Sequence, residues 1–178
     1  MKLQQNQLAP NFRVTDVFGR VLDSKKFAGK KVYLAFERNA GCPVCNLRTH
    51  TLLKQADHFA ANNTIVILVY ESTAAKMKEY LGPNTYPFYF VADPDNLLYN
   101  QYGVERSMLK IMRGLFHGLL RKVREGTRLF DTPMKQDGHT DRVPAEFVIR
   151  ENGTLVTAHY GRFLGDHLPL PTLQTQLV

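Results

Sequence analysis

The sequence predicts an α/β fold in which a mainly parallel central sheet is covered by helices on both faces and ends in an antiparallel edge. Three observations carry that expectation. Short runs rich in β-branched and aromatic residues alternate with helical stretches, the order that a parallel sheet requires. The last two of these runs flank Glu151-Asn152-Gly153, a hairpin turn signal. The chain has 178 residues, 44% hydrophobic and 22% charged, which suits a single folded domain with a sizeable core.

The elements follow in order. Residues 12–15 and 20–22 flank Asp16-Val17-Phe18-Gly19 and read as a short hairpin with a glycine turn. Ser24 is placed to cap one helical turn that ends at Gly29. Residues 31–37 form a buried strand, broken by Asn39-Ala40-Gly41. A helix runs from about Pro43 to Ala61, with proline at its first position, where a missing N–H costs nothing. Residues 64–70 are a second buried strand, and Ser72 caps a short helix that stops at Gly82-Pro83. Residues 88–91 are a third strand, followed by Asp93-Pro94-Asp95 and a short helix to Tyr102. Residues 147–150 and 154–160 form the closing hairpin, and Asp166 is placed to start a final helix in the tail. No repeat or low-complexity linker interrupts the chain, so residues 1–178 are read as one domain.

The two cysteines lie in one window, Cys42-Pro43-Val44-Cys45. A bridge across two intervening residues constrains the unfolded chain very little, so this pair suits chemistry better than stapling. The reactive species is the thiolate, and a helix N-terminus stabilises it. Cys42 falls at the predicted N-cap and Cys45 in the first turn, and Arg38 stands close upstream as a positive neighbour. Two blander readings compete. Half a zinc site is one, with His50 and His58 nearby, but the chain has no further cysteine and both histidines lie down the same helix. Inert packing is the other, and it fits poorly with a Gly-flanked helix start. Redox chemistry is therefore preferred, with no metal and no cofactor. Glu37, at the end of the central strand, is a candidate proton acceptor beneath the cysteines; an exposed strand end is the alternative.

Several segments in this order carry a resemblance. Leu8-Ala9-Pro10-Asn11-Phe12, Gly19-Arg20-Val21-Leu22, Phe27-Ala28-Gly29-Lys30-Lys31-Val32 and the Cys-x-x-Cys come first. Ala92-Asp93-Pro94-Asp95, Tyr102-Gly103-Val104 and Phe147-Val148-Ile149 with Asn152-Gly153 follow. Together they resemble the redoxin superfamily, in particular the alkyl hydroperoxide reductase/thiol-specific antioxidant (peroxiredoxin-like) family, over about residues 8–105 and 143–165. The resemblance implies a thioredoxin fold in its peroxiredoxin-like variant, with a mixed central sheet flanked by helices. By that alignment Cys45 takes the peroxidatic position, and Cys42 replaces the usual Thr or Ser. Pro144 stands where thioredoxin-like disulfide reductases carry a cis-proline; an ordinary proline at the start of a strand is the alternative. Arg142 is a candidate for the arginine that peroxiredoxins hold beside the thiolate. The tryptophan that thioredoxins place before the first cysteine is absent, and Gly41 stands there.

Two activities are implied. One is thiol–disulfide exchange, with Cys42 attacking and Cys45 resolving. The other is hydroperoxide reduction through a sulfenic acid. Either needs a disulfide or peroxide substrate and an external thiol donor of thioredoxin or glutathione type. A non-catalytic binding module on the same frame is the third reading.

Residues 106–141 stand where such a domain would run almost directly to its last hairpin, and read as a basic helical insertion. Residues 106–128 hold seven Arg and Lys against Glu125 alone, in a chain of net charge +7. Met108, Met112, Leu115, Leu119 and Val123 fall at helical spacing, and Ile111, Phe116 and Leu120 widen the stripe. The expectation is a helix with its apolar face on the domain or across a homodimer interface through 106–130, and its basic face in solvent. A lid beside the cysteines comes second and a membrane-surface helix third. Nucleic acid is not an expected partner, since no recognition module accompanies the charge. The polar N-terminal stretch lacks the apolar run of a secretory signal, which gives a cytoplasmic expectation.

Overall fold

The computed structural model describes residues 1–130 and 135–178, so residues 131–134 of the expected insertion lie outside the described residues. Strands β1 (Arg13–Thr15) and β2 (Val21–Asp23) pair antiparallel across the expected turn, where Gly19 adopts φ +86°. A 3-10 turn, Ser24–Phe27, follows. Its cap is Asp23, whose side chain accepts from the Lys25 N–H, one residue before the expected Ser24. The Ser24 hydroxyl accepts from the Phe12 N–H instead, which closes the base of the hairpin.

The central sheet has five strands. β3 (Lys31–Phe36), β4 (Thr64–Tyr70) and β5 (Tyr89–Ala92) run parallel, while β6 (Ala145–Ile149) and β7 (Leu155–Tyr160) run antiparallel to their neighbours. The order is β5-β4-β3-β6-β7, which places β3 at the centre. β3 and β6 are buried almost throughout, which is why β3 reads as a continuous apolar run rather than an alternating one. Successive side chains still take opposite faces. Tyr33, Ala35, Leu68 and Val148 share one core cluster, and Leu34, Phe36, Ile67 and Phe147 share the other.

The long helix expected after the cysteines is two. α1 (Pro43–Leu53) ends where the Gln55 N–H tightens onto the Leu52 carbonyl at 2.8 Å, and α2 (Ala56–Ala61) restarts beyond it. α3 (Ala74–Leu81) is capped by Thr73 rather than Ser72. α4 (Leu97–Gln101) begins on Asp93, whose carboxylate accepts from the N–H groups of Leu97, Leu98 and Tyr99.

The insertion departs most from expectation. It is not one helix but α5 (Met108–Arg113), a 3-10 turn (Gly114–His117) and α6 (Leu119–Thr127). Gly118, at φ +74°, turns the chain between the last two, so the apolar stripe no longer shares one face. Leu119 is buried and Ile111 and Val123 pack on the core, whereas Leu109, Leu120 and Phe116 are 78%, 71% and 89% exposed. The final helix, α7 (Leu170–Leu177), starts four residues after Asp166 and is not capped by it. No helix among the described residues is long and apolar enough to cross a membrane.

Candidate active site

β3 delivers the chain into a buried loop, residues 37–41, and α1 starts immediately after it. Cys42 is the N-cap of α1, with Pro43 at the first helical position. The Cys42 Sγ accepts from the Cys45 N–H at 3.4 Å, and the Cys45 Sγ accepts from the Arg38 N–H at 3.3 Å. Both are free thiols, 0% and 2% exposed. The loop is pinned by Ser72, whose hydroxyl accepts from the Ala40 N–H at 2.7 Å and donates to Asp137 at 2.5 Å. That duty explains why Ser72 does not cap α3.

The two sulfurs differ sharply. Burial opposes charge at Cys42, but the Cys45 thiol, the Arg38 guanidinium and the Cys45 N–H together outweigh it and pull Cys42 down from 9.0 to about 6. Burial and the adjacent Cys42 sulfur push Cys45 well above its ordinary value. The Arg38 guanidinium is itself held by the insertion, through the Thr140 carbonyl at 2.8 Å and the Gln136 side chain at 2.7 Å.

The insertion covers the pair. Gly126 of α6 sits against the helix start so closely that a Cβ there would lie 1.9 Å from the Pro43 carbonyl oxygen. On the other side, a Cβ on Gly41 would lie 2.4 Å from the Lys135 carbonyl oxygen. Both approaches require glycine.

Beneath the thiols lies a buried charged cluster. Glu37 is 0% exposed, and neither carboxylate oxygen has a hydrogen-bond partner among the described residues. Burial raises its carboxyl from 4.5 to about 7, an effect that His167 offsets in part and Glu146 reinforces. Glu146 is fully engaged. It accepts from Arg48 Nε (2.9 Å) and Nη2 (3.0 Å), from the Leu168 N–H (2.7 Å), and from His167 Nδ1 (2.9 Å). Burial works against its charge, but Arg48 and His167 hold the Glu146 carboxyl down at about 2. Donor atoms of Glu37, Glu146 and His167 all lie within 4.8 Å of one another. With Glu146 saturated, this group offers two open donors, one short of the three protein ligands that a catalytic zinc site uses.

Two expected site residues do not take the expected roles. The Val143–Pro144 bond is trans, since the described residues contain no cis peptide. Pro144 precedes β6 and its carbonyl accepts from the Gly161 N–H at 2.9 Å, the ordinary role of a proline at the start of a strand. Arg142 is a buried ion-pair partner of Glu71 and also donates to the Val104 carbonyl and to Asn96. With its donors committed there, the positive neighbour of the thiols is Arg38. Sequence reasoning missed Arg48 and Glu146. A glutamate inside an otherwise apolar strand was the available signal, because such a residue is rarely buried without a partner.

Known proteins bear on this geometry. The chain is 26% identical over 113 residues to the chloroplastic peroxiredoxin Q of Oryza sativa subsp. japonica, covering 64% of this chain and 52% of that one. It thus spans about half the length of the curated relatives it matches. Among solved structures it resembles a chain assigned as the thiol:disulfide interchange protein DsbE of Chlorobium tepidum, with TM-score 0.64, 19% identity and coverage of 99% and 96%. The peroxidoxin BcpB of Mycobacterium tuberculosis is equally similar in shape, with TM-score 0.64, 14% identity and coverage of 98% and 94%. At these identities the structures show the fold, which is the thioredoxin fold. The AhpC/TSA family model matches residues 6–158, a span that runs from before the first hairpin into β7 and contains the dithiol, and the chain belongs to that family.

Proposed function

We propose that this protein is a thiol-dependent oxidoreductase that cycles between the Cys42/Cys45 dithiol and a disulfide, with Cys42 as the attacking sulfur in thiol–disulfide exchange. The asymmetry of the two thiols carries the reading: Cys42 is held near 6 and Cys45 far higher, so at neutral pH only one sulfur is a ready nucleophile. The Cys42 thiolate attacks one sulfur of a substrate disulfide and expels a substrate thiolate. Glu37, a carboxyl poised near 7, then takes the Cys45 proton. The Cys45 thiolate attacks the Cys42 sulfur and expels the second substrate thiolate. Two electrons have passed to substrate, and an external thiol of thioredoxin or glutathione type restores the dithiol.

A second reading is favoured by the cover over the pair. Cys42 is fully buried under α6, which a small hydroperoxide displaces less than a folded protein does. In that case the Cys42 thiolate attacks the peroxide, the alcohol leaves, and Cys42 becomes a sulfenic acid that Cys45 converts to the disulfide with loss of water. The trans Pro144 removes one reason to prefer exchange, and the thiol asymmetry supports Cys42 as the first sulfur in both, where the alignment expected Cys45 to be peroxidatic. The outward apolar side chains of α5 and α6 also suit docking of a second copy of the chain.

The test uses single serine variants with a protein disulfide and a hydroperoxide as alternative substrates. Cys42→Ser is expected to lose both activities, by about a hundredfold or more. Cys45→Ser is expected to stall as a mixed disulfide with the first substrate. Alkylation of Cys42 should show a midpoint near pH 6. Retained activity in Cys42→Ser, or alkylation centred on Cys45, overturns the assignment.

A further inference from the structure

We infer that the outward side of the insertion docks on a membrane surface rich in anionic lipid. The placement of its apolar residues is inverted relative to an ordinary surface helix. On α5 and the 3-10 turn after it, Ile111 and Gly114 face the protein. Ile111 packs on the core, and a Cβ on Gly114 would lie 3.2 Å from the Leu119 side chain. Helical spacing sets Leu109, Met112 and Phe116 on the opposite side, at i, i+3 and i+7, and all three are exposed. Met108 and Leu115 are exposed on the flank, and Leu120 follows at the start of α6. Half of the twelve exposed large apolar side chains among the described residues thus fall between positions 108 and 120. Such a concentration marks an interaction surface, where single scattered residues would not.

α6 repeats the arrangement with charge. Leu119 and Gly126 are buried, and Arg121, Arg124 and Arg128 stand on the other side at i, i+3 and i+7, all exposed. Arg113 is exposed beside Phe116 on the outer side of the preceding elements. Among the described residues, Arg113, Arg124 and Arg128 form no ion pair. Arg121 meets Glu125 at 3.8 Å with both side chains in solvent, a pair of little worth. Glu125 is the one acid between positions 106 and 130. This charge selects the occupant. A second copy of the chain would cover the apolar side chains, but a two-fold interface sets one patch against itself and here brings arginine against arginine. An anionic bilayer satisfies both features, since its headgroups pair with the guanidinium groups and its acyl boundary takes Leu109, Met112 and Phe116. The contact is superficial, in keeping with helices too short to span a bilayer. The dithiol lies under the inner side of α6, where Gly126 meets Pro43, so docking by the outer side leaves that packing in place.

The experiment uses the full chain with vesicles of phosphatidylcholine alone, or of phosphatidylcholine with about one-third phosphatidylglycerol. Cosedimentation is expected to be roughly tenfold or more stronger with the anionic vesicles, and to weaken as salt is added. Phe116→Asp, and Arg121→Gln combined with Arg124→Gln, should each reduce binding by roughly tenfold or more. Both change exposed side chains only, and Cys42 alkylation in solution should match wild type, which separates loss of docking from loss of fold. The chain has no tryptophan, so Phe116→Trp supplies a single probe whose emission should shift to the blue on the anionic vesicles. Equal binding to both vesicle types, unshifted emission, or full binding by either substituted protein overturns the inference. So does a dimer, seen by sedimentation without vesicles, that Phe116→Asp dissociates and that anionic vesicles do not bind: the second copy then covers this face.

Discussion

At the scale of single residues, what matters is how burial treats each ionisable group. Glu37 holds its proton to about pH 7, whereas its unfolded counterpart loses it near 4.5. Between those values the folded chain binds the extra proton, so this group's contribution to stability falls as pH rises through that window. Glu37→Gln removes the dependence, and urea unfolding at about pH 8 should find the variant more stable than wild type by at most about 3 kcal/mol, with little difference at about pH 4. An equal difference at both pH values would show that Glu37 is not buried as a carboxyl. Legibility at this scale tracks distance along the chain. Cys42, Cys45, Arg38 and Glu37 lie within nine positions, and the end of a strand followed by a helix start places them together. His167 and Glu146 reach the same spot only because β6 pairs with β3, Glu146 opposite Ala35, and because the chain returns after β7. No local pattern encodes that meeting. Pro144 was misread for a related reason: a proline in sequence specifies neither isomer, and its neighbours across the sheet decide.

At the scale of elements, the insertion is the part that periodicity described least well. The stripe from Met108 to Val123 has correct helical spacing, but Gly118 in a left-handed conformation divides it and sends its two parts in different directions. α6 then lies on α1 through Gly126. Gly126→Ala places a methyl group 1.9 Å from the Pro43 carbonyl oxygen, a backbone atom that cannot swing aside. The expected cost is about 1–3 kcal/mol of stability, with α6 displaced from the helix start. Alkylation of Cys42 should accelerate in this variant, and an unchanged rate would show that α6 does not limit access. The strands, in contrast, were readable because a centrally buried strand must be apolar on both faces.

At the scale of the whole molecule, the fold was the most legible feature, since alternating strands and helices with a closing hairpin leave few arrangements. The outer surface was less so. Leu109, Phe116 and Leu120 stand exposed among basic side chains, a feature that follows from the broken stripe rather than from composition. If a second copy covers them, sedimentation should find a dimer at tens of micromolar or below, and Phe116→Asp should convert it to monomer with the dithiol chemistry unchanged. A wild-type monomer throughout ends that reading. Arg38 links this outer layer to the sulfur: its guanidinium favours the Cys42 thiolate and is gripped by Gln136 and Thr140. Thermodynamic linkage runs in both directions. Oxidation removes the negative charge that Arg38 faces, so the grip on residues 136–140 differs between the two states. Whatever loosens that grip from outside alters the acidity of Cys42 in turn. If the dithiol cycles as proposed, the insertion is an indicator as well as a cover, and a partner touching only that surface would sense whether the pair is reduced or oxidised.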